Sequence, residues 1–119
     1  MAKAFATFLQ INNTARGVPE YKIRFNKTAA RLFEGVSRVQ LAKTENYLVM
    51  IPAKDGVDGG FNVTRDKSLV PNISMTRLVK HDGFLHRDLF NGTRYAVKRG
   101  RTGDNKIYIS LKEAVLDDE

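Results

Sequence analysis

Residues 32–51 read LFEGVSRVQLAKTENYLVMI, and residues 89–109 read LFNGTRYAVKRGRTGDNKIYI. Each opens Leu-Phe-x-Gly, runs through a basic segment with strand-like alternation, breaks at polar turn residues and closes on a β-branched apolar run. Three shared letters carry little weight. The shared order of elements carries more, and it reads as two copies of one structural unit.

Working outward from these copies, AFATFLQI (4–11) mixes aromatic and β-branched residues as a strand does, and NNTARGVPE (12–20) is a loop punctuated by Gly17 and Pro19. In YKIRF (21–25), Tyr21, Ile23 and Phe25 alternate with Lys22 and Arg24, the pattern of a half-buried strand with a cationic outer face. Asn26 is a favourable N-cap for a short helix over KTAARLF (27–33), which places Ala29, Leu32 and Phe33 on one side and stops at Gly35. SRVQLAK (37–43) and YLVMIP (47–52) form a hairpin about Thr44-Glu45-Asn46. AKDGVDGG (53–60) is the clearest break, and FNVTRDKSLVPN (61–72) reads as a short strand and a loop.

The second copy follows the same plan. ISMTRLVK (73–80) alternates Ile73 and Met75 until His81-Asp82-Gly83 interrupts it. Phe84, Leu85, Leu89 and Phe90 have helical spacing over about two turns, ended by Gly92. TRYAVKRG (93–100) and KIYISL (106–111) flank a polar turn. The expected fold is therefore α+β and mostly β: two tandem strand-helix-hairpin units, about 21–52 and 73–111, forming one pseudo-symmetric small barrel. Residues 53–72 are the flexible connector, and 1–119 form a single compact domain.

The 42% apolar content suffices for one core, and the absence of cysteine excludes disulfides and thiolate metal sites. No run approaches the roughly 18 apolar residues of a membrane-spanning helix, and MAKAFATFLQINN lacks the pattern of a secretion signal. The expected location is cytoplasmic, with no membrane partner. Net charge is +7, and because Glu113, Asp117, Asp118 and Glu119 outweigh Lys112 by three, residues 1–111 carry +10. Such an excess attracts polyanions whatever the fold.

Residues 23–52, IRFNKTAARLFEGVSRVQLAKTENYLVMIP, run strand, polar cap, cationic helix, Leu, Gly and then a hairpin ending before Pro. This order resembles the AbrB-like swapped-hairpin family, which includes MraZ-type tandem repeats. Residues 73–111 follow it more loosely, with His81-Asp82-Gly83 inserted, and Phe25-Asn26 stands where the family carries Ile-Pro. The resemblance implies two units interleaving their hairpins into one barrel, within one chain or across a homodimer. It also implies DNA binding without enzymatic chemistry, through cations on one face.

The expected nucleic-acid-binding residues are Arg24, Lys27, Arg31, Arg38 and Lys43 in the first unit, with Arg77, Arg94, Lys98, Arg99, Arg101 and Lys106 in the second. Lys27 and Arg31 fall on one helix face, and Arg101 sits at a hairpin tip from which it could fork onto guanine. The cluster from Arg94 to Lys106 is opposed locally by Asp104 alone. Tyr95 and Tyr108 offer stacking surfaces for an unpaired base.

Catalytic signatures are missing. His81 and His86 are too far apart for one helical face, and Asp82 and Asp88 read as capping and surface charge. Asp55, Asp58 and Gly59 lack calcium-loop spacing, and the sequence holds no phosphate loop and no nucleophile elbow. The sequence thus points to a non-enzymatic regulator that binds duplex DNA with no cofactor. The alternative is a small phage-type inhibitor or accessory protein whose basic face meets an acidic protein surface.

Overall fold

The computed structural model describes residues 3–12, 15, 17–53, 60–65, 67, 69–79, 85–100 and 105–115. Alternation sets the strands. β1 (Phe5–Ile11) and β2 (Glu20–Phe25) pair antiparallel, with Phe8 opposite Ile23 and both completely buried. A short helix, α1 (Lys27–Ala30), and a 3-10 turn (Arg31–Phe33) lead into the hairpin of β3 (Arg38–Lys43) and β4 (Tyr47–Ala53). β5 (Phe61–Asn62), β6 (Thr64–Arg65) and β7 (Pro71–Ser74) follow, then a 3-10 turn at Arg87–Leu89 and the hairpin of β8 (Arg94–Arg99) and β9 (Ile107–Ala114).

The strands form one nine-stranded sheet in the order β5-β3-β4-β9-β8-β1-β2-β7-β6. Residues 61–65 bring its two edges together. Phe61 and Asn62 pair with Val39 and Arg38, and after Val63 the same segment turns to pair Thr64 and Arg65 with Asn72 and Pro71. The result is a nearly closed, barrel-like sheet, which removes most of the exposed edge that an open sheet would present.

Inside lie Phe8, Ile23, Phe25, Val39, Leu48, Met50, Ile73, Ile107 and Ile109. Phe33 plugs one end of the barrel against Phe25, ring centroids 4.4 Å apart. Phe90 and Leu85 plug the other, where Phe90 packs against Phe8 and Tyr21 at 5.2 and 5.4 Å.

One expectation is corrected and another refined. The two-turn helix around residues 84–90 reduces to Arg87–Leu89, because His86 is extended and its Nδ1 accepts the Asp88 N–H as a cap. Leu85 and Phe90 are buried on either side of that turn, so their spacing reflects a plug and not a helix face. Residues 61–65, expected as a short strand within the connector, supply two short strands that draw the sheet edges together. Part of that connector, with Asp55, Asp58 and Gly59, lies outside the described residues, as do His81, Asp82 and Phe84.

Candidate nucleic-acid interface

The end of the barrel that carries α1 is fixed by Asn26. Its Oδ1 accepts N–H bonds from Ala29 at 2.9 Å, capping the helix, and from Phe5 at 3.1 Å, while its Nδ2 donates to the Lys3 carbonyl at 2.6 Å. One side chain therefore ties the start of β1 to the start of α1. The registers Phe5↔Ala96, Arg99↔Ile107, Met50↔Ile107 and Arg38↔Ala53 carry this end around the ring from β1 to β3.

Of the expected contacts, Lys27, Arg31, Arg38, Arg99 and Lys106 fall at this helix end. Lys3, Arg65 and Lys67 join them; Arg65 and Lys67 were hidden from sequence reading inside the supposed connector. Glu34 is the one acidic residue at this end among the described residues. Arg101 lies outside the described residues.

Several of these cations are held in place. Arg65 Nη2 donates to the carbonyls of Phe33 and Val36, at 2.8 and 3.2 Å, which satisfies chain ends left by the 3-10 turn. Arg38 Nη1 donates to Asn62 Oδ1 at 2.8 Å and its Nη2 to the Gly60 carbonyl at 3.2 Å, latching the closing segment onto β3. Position 60 is tight: a Cβ there would stand 3.2 Å from the Arg38 guanidinium and 3.3 Å from the Val39 carbonyl, so those groups would have to give by a few tenths of an ångström.

The remaining expected residues are dispersed. Arg24 and Arg94 both pair with Thr7 across β1 and so share the outer wall, with Arg94 over the Phe5 ring at 5.1 Å. Arg77 stacks over Phe61 of the closing segment at 4.7 Å, and Lys43 ends β3 beside the 44–46 turn at the far end. Lys98 lies on the wall and pairs with Glu113 at 3.0 Å, so the second cluster is opposed by more than Asp104. The hydrogen bond that Lys98 donates to Glu113, then that carboxylate's charge, raises the Lys98 pKa; any stabilisation is present at neutral pH and lost as alkaline pH passes that raised value. With both side chains about half exposed, the pair contributes little.

The tyrosines part company. Tyr95 packs edge-on against Phe8 at 5.1 Å, whereas Tyr108 sits on the outer wall beside Tyr47, centroids 5.8 Å apart. Among the described residues, no three His, Cys, Asp or Glu side chains converge as metal ligands, and His86 is an exposed cap beside Asp88. No described helix is long and apolar enough to cross a membrane. Comparison with protein-family models, curated proteins and solved structures finds no match.

Proposed function

We propose that this chain is a non-enzymatic DNA-binding protein, a regulator that sets its helix end against the phosphates of duplex DNA. One observation carries the reading: five expected cations, Lys27, Arg31, Arg38, Arg99 and Lys106, gather at that end, where Glu34 is the acidic residue nearest in sequence to Arg31 and Arg38 among the described ones. At the far end Lys43 and Arg87 stand among Glu20, Glu45 and Asp88. A one-sided field of this kind orients a polyanion, and phosphate contacts dominate affinity by releasing counterions. Duplex affinity measured by fluorescence anisotropy should fall steeply from low to physiological salt, with a log–log slope of about −4 to −5 if the five expected helix-end cations each neutralise a phosphate. A flat salt response removes the reading.

The finer architecture we read as two like-built units with exchanged hairpins. The strand pairing supports it. Outside itself, the β3–β4 hairpin pairs with β5 and β9, both from the second half; the β8–β9 hairpin pairs with β4 and β1, both from the first. β2 pairs with β7, and the closing segment lies between β7 and β3 as β1 lies between β2 and β8. Swapping the halves maps this ring onto itself. That order agrees with the AbrB-like resemblance and lets one chain close the barrel without a homodimer.

A second reading rests on Leu69. This residue is 73% exposed with φ 62°, a left-handed conformation that costs a branched side chain about 1–3 kcal/mol. It lines the groove beside Arg31 and Arg65, where an apolar anchor within a cationic rim suits an acidic protein partner. Leu69→Ser separates the two: it spares duplex binding and weakens capture of a protein that survives nuclease treatment.

A further inference from the structure

Two grooves meet at Arg65. One, of about 260 Å³, crosses the outer wall over β2, β7 and β6 and is lined by Lys22, Thr64, Asn72 and Ser74, with Glu20 also on its wall. The other, of about 650 Å³, lies at the helix end and is lined by Arg31, Gly35, Ser37 and Leu69, with Glu34. Arg65 lines both. Its guanidinium is tied to the Phe33 and Val36 carbonyls, so a cation stands at the junction without first being ordered by a ligand.

We propose that the two grooves form one furrow that takes a phosphodiester strand, gripping one backbone of the duplex from the β2–β7–β6 wall down to the helix end. The assignment rests on the DNA-binding reading above and names the strand-level contact. Lys22, Arg65 and Arg31 supply cations along the path, and Ser37, Thr64 and Ser74 supply hydroxyls, the usual phosphate-positioning groups. β2 and β6 are two strand spacings apart, about 10 Å. That is long enough to span more than one phosphate of a single backbone. A path of this length, studded with separate cations, matches a polymer and exceeds a single small anion. The carboxylates Glu20 and Glu34 oppose it, and the three furrow cations outnumber them.

The test is a salt titration of duplex affinity for Lys22→Gln, Ser74→Asp and the double variant Arg99→Gln/Lys106→Gln. Lys22 and Ser74 stand opposite each other on the outer face of β2 and β7, away from the buried core. Lys22→Gln should weaken binding roughly fivefold at low salt and reduce the salt slope by about one. Ser74→Asp, which sets a carboxylate in the path, should weaken it by roughly tenfold. If both furrow variants bind like the parent while Arg99→Gln/Lys106→Gln loses affinity, the helix end binds DNA and the furrow does not. If all of them bind like the parent, the DNA-binding reading falls with it.

Discussion

The two ends of the barrel are closed by the same chemistry and, among the described residues, dressed with different mixtures of charge. At the helix end Phe33 stacks on Phe25; at the far end Phe90 packs on Phe8 and Tyr21, and all these side chains are buried. Around the first plug the described side chains are cationic with Glu34 as the exception, whereas around the second the acids Glu20, Glu45 and Asp88 stand among the cations. Packing and charge are thus set independently. The plugs close the fold whichever rim surrounds them, and on the proposed function the rims would decide which end a polyanion approaches.

Emptying a plug gives the largest effect. Phe33→Ala should destabilise the protein by about 3–5 kcal/mol, measured by urea unfolding, because the ring is wholly buried against Phe25. Charge reversal sharpens the comparison next: Arg31→Glu with Arg99→Glu should lower duplex affinity roughly a hundredfold, and Lys43→Glu with Arg87→Glu by no more than about threefold. Asn26→Ala should cost about 1–3 kcal/mol, since it removes the cap on Ala29 and strands the Phe5 N–H.

Smaller effects come from groups away from both plugs. Lys98→Met should leave the thermal midpoint nearly unchanged at neutral pH and abolish whatever stability change the parent shows as alkaline pH passes the raised Lys98 pKa. Removing residues 116–119 should alter duplex affinity least, less than about twofold. β9 runs away from the helix end, and the Val115 N–H is bonded to the Arg94 carbonyl on the wall. An affinity gain on truncation would instead mean that the acidic tail shields the cations.

Much of the sheet was legible because period-two alternation in YKIRF, SRVQLAK and KIYISL follows from having one wet face and one packed face. Tyr21, Ile23 and Phe25 are buried as that pattern requires. A short strand was legible at residues 61–72, but not its role in closing the sheet. Gly60, Asn62 and the polar residues after them carry no alternation over two-residue strands, and they are held by Arg38, which sequence reading assigned to phosphate.

For the candidate interface, the cations could be counted from sequence but not assigned to an end. Arg94 and Arg99 open and close the same short strand, yet its direction sends one to the wall and the other to the helix rim. Glu113 reaches Lys98 across a register shift between β8 and β9, which no spacing rule anticipates.

Amide chemical-shift mapping during titration with a short duplex tests the central claim most directly. The account predicts perturbations concentrated at Lys27–Ser37, Arg99 and Lys106, with Glu45 and Asp88 unmoved. Perturbations centred on Lys43, Glu45 and Arg87, or spread evenly over both rims, would contradict it.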